Sequence, residues 1–192
     1  MTRLIIIRHC QTEGNKADKI QGYHNDSGFT ELGNEQLERL VERLKNEKID
    51  AVYCSDLGRT LKVANYIAEN HKLIPILRKE LRELDPGKLG EIPKDKMFIV
   101  WGEYYENEKK KGVSREEIRY SGAENTWDHQ KRIKKVLDEI FENYPNGNIV
   151  IVGHAGTNKV LIGTLTGEDP DNFYNVKQDN ACINIIEVKK NK

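Results

Sequence analysis

Two short apolar runs that each lead into a histidine constrain the fold of this chain more than any other feature. Residues 4–7 are followed directly by Arg8 and His9, and residues 149–152 are followed within two positions by His154. Short apolar runs bounded by polar residues are typical of buried strands. In open α/β sheets, ligands bind beyond the carboxyl ends of the strands. The sequence therefore predicts a pocket that holds both histidines, with an arginine beside one of them.

Strand and helix patterns alternate along the chain. The predicted strands, in order, are 2–7, 49–54, 74–77, 149–152 and 183–188. Between them, apolar residues recur at helical spacing after an N-cap at Thr30, near 61–68 and near 160–165. The longest helical stripe comprises Ile133, Val136, Leu137, Ile140 and Phe141. This alternation predicts βαβ units, and hence a three-layer α/β/α fold with a mainly parallel sheet.

Residues 85–122 interrupt the alternation with prolines, glycines and a basic run at 109–111. We interpret them as a helical cap inserted into a single domain that spans residues 1–192. The aromatic residues Trp101, Tyr104 and Tyr105 stand at i, i+3 and i+4, a spacing that suits core packing or a substrate wall equally. The basic run is expected to be a solvated face.

Composition and charge narrow the function classes. The chain has 31 Lys+Arg and 31 Asp+Glu, so its net charge is zero and no broad basic face for nucleic acid is expected. No apolar run is long enough for a signal peptide or a membrane span, which predicts no membrane partner. Cys10, Cys54 and Cys182 form no CxxC pair, which favours free thiols in a cytoplasmic location.

A family resemblance begins at Arg8 and continues in order along the chain. The blocks are RHCQTEGN (8–15), FTELGNEQ (29–36), SDLGRT (55–60), LRELDPGKLGE (81–91), SGAEN (121–125) and VGHAGTNKVLI (152–162). Together they resemble the histidine phosphatase superfamily, which has the phosphoglycerate mutase-like fold. Six blocks in the right order span nearly the whole chain, and this makes the resemblance specific.

The resemblance implies roles for the site residues. A neutral imidazole can attack phosphorus and hold the phosphoryl group covalently, but residue chemistry alone leaves open which histidine attacks. The resemblance implies that His9 is the nucleophile and that Glu83 is the general acid and base. Arg8, Arg59 and His154 would surround the phosphoryl oxygens, because phosphoryl transfer depends mostly on positioning and electrostatics. Further phosphate contacts are expected from the side chains of Asn15 and Gln21 and from the backbone of Ala155 and Gly156.

The predicted function is a metal-independent phosphatase that acts on small phosphomonoesters without a cofactor. The expected partners are this substrate and, as one option, a second copy of the chain in a homodimer. Two alternatives stay open: a cofactor-dependent phosphoglycerate mutase, and a phosphate-binding module without turnover. A cap of about forty residues favours hydrolysis, because the mutases of the family tend to carry a larger insert.

Two other chemistries fit the sequence less well. A cysteine-based phosphatase at Cys10 would need an arginine six positions later, where the chain has Lys16. A two-metal hydrolase built from His9, Asp56, Glu83 and His154 would place its cations against the arginines, and the sequence has no HExxH-like spacing.

Some positions depart from the family pattern. Cys10 and Ala155 replace glycines, Asn125 replaces a serine, and Ser121 replaces a proline. A positive φ at position 10 would strain a cysteine. The remaining histidines, His24, His71 and His129, are expected at the surface.

Overall fold

The computed structural model describes residues 1–23 and 26–189 of the chain. Its strands are β1 (Thr2–Arg8), β2 (Ala51–Cys54), β3 (Ile76–Leu77), β4 (Asn148–Gly153) and β5 (Ile183–Val188). Its α-helices are α1 (Glu13–Lys16), α2 (Glu31–Leu44), α3 (Gly58–Asn70), α4 (Lys94–Lys110), α5 (Thr126–Asn143) and α6 (Ala155–Thr166).

The five strands form one sheet in the order β3-β2-β4-β1-β5. β1, β2, β3 and β4 are parallel, and β5 pairs antiparallel with β1 at the edge. In the register of β1 and β4, Arg8 pairs with Gly153. Both strands therefore end at the same level, and the histidine that follows each strand emerges at the same edge of the sheet.

Both faces of the sheet are covered, and this explains why the strands read as continuous apolar runs. Because side chains alternate along a strand, Ile5 and Ile7 pack on one face with α2 and α3. Leu4 and Ile6 pack on the other face with α5 and α6. The fold is therefore the predicted α/β/α arrangement, and the predicted stripe of α5 lies in the second core layer.

The third strand is shorter than the sequence predicts, since it begins at Ile76 rather than at residue 74. Ile74 is 87% exposed. Pro75 has no N–H to donate to a neighbouring strand, so pairing starts only after it.

The 85–122 segment contains a 3-10 turn at Gly87–Glu91 and α4, and α4 has no buried residue. The ring of Trp101 lies 6.2 Å from that of Tyr104 and 5.8 Å from that of Tyr105, between centroids. These aromatic residues pack against one another within this segment, and the lysines at 109–111 are exposed as expected. No helix in the described part of the chain has the length and apolar character needed to cross a membrane.

Candidate active site

His9 and His154 lie side by side at the carboxyl ends of β1 and β4. Their ring centroids are 5.4 Å apart, and both residues are buried. The His9 N–H donates to the Gly153 carbonyl at 3.1 Å, which continues the pairing of the two strands by one residue. The sheet register thus brings together two histidines that are 145 positions apart in the sequence.

The hydrogen bond of His9 fixes its tautomer. His9 Nδ1 lies 2.8 Å from the carbonyl oxygen of Cys10. A carbonyl oxygen only accepts, so Nδ1 carries the proton and Nε2 keeps its lone pair. Burial, with the positive charges of Arg59 and Arg8, lowers the pKa of His9 to about 3. The imidazole is therefore neutral near pH 7, with a free electron pair on Nε2.

The tautomer of His154 follows from a chain of hydroxyl groups. Its Nε2 lies 2.8 Å from Ser55 Oγ, which lies 2.7 Å from Thr60 Oγ1. The Thr60 hydroxyl donates its one proton to a backbone carbonyl, with Leu57 O at 2.8 Å, so it accepts from Ser55. Ser55 in turn accepts from His154 Nε2–H. His154 Nδ1 is then an unprotonated, buried nitrogen with no partner among the described residues.

Two guanidinium groups lie near the histidines, that of the buried Arg59 and that of the half-buried Arg8. Arg8 donates to the carbonyl of Gln178 at 2.6 Å, and burial lowers the pKa of Arg8. Arg59 donates to the carbonyl of Gly22 at 2.9 Å and to the carboxylate of Asp26 at 3.0 Å. The Arg59 side chain is 2% exposed, whereas that of Asp26 is 39% exposed. This concentration of positive charge suits an anionic ligand.

Asp26 also occupies the N-terminus of α3. The backbone N–H of Gly58 and, at 3.3 Å, that of Arg59 donate to its carboxylate. Sequence analysis missed this residue, because Asp26 lies more than thirty positions before the helix that it caps. The N–H groups at the start of α3 are therefore held by a protein carboxylate.

Glu83 is held at the N-terminus of α6. Its carboxylate accepts from the N–H groups of Leu84 at 2.9 Å, Gly156 at 3.1 Å and Thr157 at 3.2 Å. A Cβ on Gly156 would lie 2.5 Å from Glu83 Oε1, so a glycine is needed for this approach. The expectation that Gly156 N–H faces phosphate differs from this arrangement, because Glu83 takes that N–H. Ala155, the first residue of α6, stays a candidate donor to phosphate.

Arg132 of α5 holds the segment that carries Glu83, and sequence analysis did not single it out. Its guanidinium donates to the carbonyls of Arg82 at 2.8 Å and Glu83 at 2.9 Å, and also to that of Glu80. The same group pairs with Glu124 at 2.6 Å. The sequence signal for Arg132 was weak, because a lone arginine beside an apolar helical stripe is normally interpreted as an exposed charged residue.

The two predicted amide ligands follow β1, Asn15 in the short helix α1 and Gln21 in the loop after it. Asn15 Oδ1 accepts from the N–H of Thr12 at 3.1 Å and from Asn180 Nδ2 at 3.1 Å. Gln21 Oε1 accepts from Thr12 Oγ1 at 2.9 Å. Both side chains thus use their oxygen within the protein, and their NH2 groups stay candidate donors to phosphate. Asn180 also donates to the His9 carbonyl at 3.1 Å, and sequence analysis missed this contact.

A cleft of about 430 Å³ adjoins the site. It begins at Gln21 and Gly22, and the latter accepts a hydrogen bond from Arg59. The 85–122 segment forms the opposite wall, two residues after Glu83. Charged and polar residues on the walls include Tyr23, Asp85, Lys88, Glu91 and Ser121.

The structure corrects the expectation for His129 and answers the question raised by Cys10. His129 was expected at the surface but is fully buried, because α5 packs this position against Thr157 of α6. Cys10 does not adopt a positive φ, and its side chain is buried in the core, so the replacement of a family glycine brings no backbone strain.

One further departure from the family pattern, Asn125, has a local structural role, and two histidines remain to be placed. Asn125 caps α5 by accepting from the Asp128 N–H at 2.9 Å. His71 is half-buried. His24 lies outside the residues that the structure describes.

Within residues 1–23 and 26–189, no cluster of three or more histidine, cysteine or carboxylate side chains is placed to hold a metal ion. Asp56, one of the candidate ligands, instead forms a bidentate pair with Arg82, with both distances at 2.6 Å.

Comparisons with known proteins agree with this geometry. The sequence profile of the histidine phosphatase superfamily (branch 1) matches residues 4–192. Phosphoserine phosphatase 1 of Hydrogenobacter thermophilus is 27% identical over 190 residues, covering 99% of this chain and 88% of that protein. A probable phosphoglycerate mutase, GpmB of Yersinia pestis, is 30% identical over 167 residues, covering 87% of this chain and 76% of that protein.

The fold has close counterparts among solved structures. YhfR of Bacillus stearothermophilus superposes with a TM-score of 0.80 at 25% identity, covering 99% of this chain and 93% of that chain. The profile match extends over both histidine blocks and over the cap between them. The chain therefore belongs to branch 1 of the histidine phosphatase superfamily, as a phosphoric monoester hydrolase.

Proposed function

We propose that this protein hydrolyses small phosphomonoesters through a phosphohistidine formed on His9 Nε2. The observation that carries the proposal is the hydrogen bond from His9 Nδ1 to the Cys10 carbonyl at 2.8 Å. It leaves the electron pair of Nε2 free in a neutral, buried imidazole. A nucleophile of this kind needs no deprotonation before it attacks phosphorus.

In the first half-reaction, Nε2 forms a bond to phosphorus and the bond between phosphorus and the leaving oxygen breaks. Arg8 and Arg59 neutralise charge on the phosphoryl oxygens, and a protonated phosphoryl oxygen can donate to the unprotonated Nδ1 of His154. Asn15, Gln21 and the Ala155 N–H supply further donors. Glu83 enters this step as the carboxylic acid, protonated on Oε2, where only the Gly156 N–H donates to it. It gives this proton to the leaving oxygen, so the alcohol departs neutral.

In the second half-reaction, water attacks the phosphohistidine. Glu83, now a carboxylate, accepts a proton from that water, and the N–P bond breaks to release inorganic phosphate. His9 and Glu83 return to their starting states, so the cycle balances without a metal or cofactor. The three backbone N–H groups that hold Glu83 keep its oxygens in one position for both steps.

We propose that the leaving group occupies the 430 Å³ cleft whose wall begins at Asp85, two residues after Glu83, with phosphoserine as the first substrate to test. Two observations support this choice. The similar protein from Hydrogenobacter thermophilus is named a phosphoserine phosphatase. The cleft walls carry Lys88 together with Asp85 and Glu91, and charges of both signs suit a zwitterionic amino acid.

The test is phosphate release from a panel of phosphomonoesters, with a chelator present and the His9→Ala variant as control. We expect chelator-resistant release with phosphoserine among the best substrates, and no release from His9→Ala. Acid-labile, base-stable incorporation of phosphate in rapidly quenched wild-type enzyme would identify the phosphohistidine. Substantial turnover by His9→Ala would overturn the assignment of the nucleophile.

A mutase is the second candidate, because the similar protein from Yersinia pestis is named a probable phosphoglycerate mutase. The two reactions share the phosphohistidine and differ in whether water or a second substrate hydroxyl accepts the phosphoryl group. If 3-phosphoglycerate with a bisphosphate primer is isomerised faster than any ester is hydrolysed, the mutase replaces the phosphatase. If neither reaction occurs, the chain is a phosphate-binding module.

A further inference from the structure

His129 is a buried titratable residue that the proposed reaction does not use. It lies on α5, is 0% exposed, and is one of the five histidines of the chain. Its Nε2 lies 3.2 Å from Thr157 Oγ1. Its Nδ1 is buried and has no hydrogen-bond partner among the described residues. Burying a polar nitrogen without a partner is costly, so an apolar residue would be the default here for stability alone.

The hydrogen bond to Thr157 has a defined direction. The Thr157 hydroxyl donates its one proton to the carbonyl of Arg82 at 2.8 Å. Toward His129 it can therefore only accept, which places the proton of the imidazole on Nε2. Burial lowers the pKa of His129 well below its usual value, so the ring is neutral and in this tautomer.

Thr157 contacts Glu83 and its neighbour at the same time. Its backbone N–H donates to Glu83 Oε1 at 3.2 Å, while its hydroxyl holds the carbonyl of Arg82, the preceding residue. A donor from His129 polarises this hydroxyl and fixes its rotamer. The chain of contacts runs from the imidazole to the hydroxyl, and from Thr157 to the carboxylate and the backbone that carries it.

We propose that His129 is a positioning residue for Glu83, acting through Thr157. This inference rests on the proposed role of Glu83 as the proton donor to the leaving group. His129 does not touch the substrate. It holds Thr157 so that the Glu83 carboxylate keeps its place relative to the leaving oxygen. Without it, the carboxylate loses alignment and proton transfer to the leaving group suffers most.

The test compares leaving groups. Phenyl phosphate has a poor leaving group that needs the proton, whereas 4-nitrophenyl phosphate has a good one that needs it less. The parameter is kcat/KM, which reports phosphoryl transfer to His9 rather than hydrolysis of the intermediate. We expect His129→Leu to lower kcat/KM for phenyl phosphate roughly tenfold more than for 4-nitrophenyl phosphate, a weaker form of the Glu83→Gln pattern.

Three further variants separate positioning from packing. Ile133→Val removes one buried methyl group from the same helix, and we expect equal changes for both substrates. His129→Gln places an amide donor near Thr157 and should restore part of the loss. Thr157→Val should reproduce His129→Leu, and the double variant should be no worse than Thr157→Val alone, because the two residues act in series.

The outcomes distinguish the inference from the function on which it rests. If Glu83→Gln discriminates between the substrates but His129→Leu lowers both equally, as Ile133→Val does, then His129 only packs the core and the inference is wrong. If Glu83→Gln itself does not discriminate, the acid role of Glu83 and this inference fall together. Far-UV circular dichroism and the unfolding midpoint of each variant establish that it is folded.

Discussion

At the level of single residues, hydrogen bonds decide which nitrogen of each histidine carries the proton. The Cys10 carbonyl makes Nδ1 the donor of His9, and the hydroxyl of Ser55 makes Nε2 the donor of His154. The two neighbouring rings are therefore inequivalent in spite of their similar burial. His9 has a free Nε2 lone pair suited to attack, whereas His154 Nε2 is hydrogen-bonded to Ser55, the residue after β2.

Lys88 offers a prediction about substrate choice at this scale. If the leaving group is a zwitterionic amino acid, Lys88→Ala should raise KM for phosphoserine about fivefold, since an exposed ion pair contributes about 1 kcal/mol. Phosphoethanolamine lacks the carboxylate and should be unaffected. Lys109→Ala, in the exposed basic run, is the matched control. Equal changes for the two substrates would mean that Lys88 does not bind the carboxylate.

At the level of elements, the helices α5 and α6 build the part of the site that the strands do not supply. Backbone N–H groups at the N-terminus of α6 donate to the carboxylate of Glu83. Arg132 of α5 donates to three carbonyls of residues 80–83. This segment has no long helix or strand of its own. Its position is therefore set by contacts with α5 and α6.

The hydrogen bonds and the ion pair of Arg132 predict that replacing this residue has a large effect on stability. Arg132 and Glu124 have side-chain exposures of 15% and 14%, and Arg132→Met leaves the carboxylate and three carbonyls without their donor. We expect the free energy of unfolding to fall by about 3 kcal/mol in a urea titration. Arg39→Met is the control, because the Arg39–Glu35 pair is exposed at 77% and 52% and should change stability by less than about 1 kcal/mol. A similar loss of unfolding free energy in both variants would contradict the structural role of Arg132.

The helices and strands also show which structural features local sequence patterns can predict and which they cannot. The apolar runs and helical stripes predicted the strands and the main helices, because hydrophobic periodicity is a local property. β3 was predicted two residues too long, because a proline inside the run removes the donor that pairing needs. The burial of His129 could not be predicted from the same patterns. It depends on the crossing of α5 over α6, which contribute residues 28 positions apart.

At the level of the whole molecule, the site brings together neutral histidines and two arginines, one buried and one half-buried, in a chain of zero net charge. Burial and the nearby arginines lower the pKa of His9, and burial lowers those of His154 and His129. The unfolded chain binds protons at these histidines near their ordinary pKa of 6.5, whereas folded His9 does so only near pH 3. Protons therefore favour the unfolded state between these two values.

This difference predicts a loss of stability on the acid side. Below pH 6.5, each neutral buried histidine should lower the free energy of unfolding by up to about 1.4 kcal/mol per pH unit. Urea titrations at pH 7 and pH 5 would measure the slope, and His9→Gln should make it shallower. An unchanged slope in that variant would mean that His9 titrates alike in the folded and unfolded chain.

The sequence alone determined the family, the α/β fold and the pair of strands that end at histidines. Motifs and apolar periodicity are local properties that depend only on residues close together in the chain. Only the tertiary structure decided the proton positions on His9 and His154, the capture of Glu83 by α6, the pairing of Arg59 with Asp26, and the burial of His129. Each of these depends on a carbonyl, a helix end or a charge brought close by packing. Such partners can stand anywhere in the chain, so no local pattern identifies them.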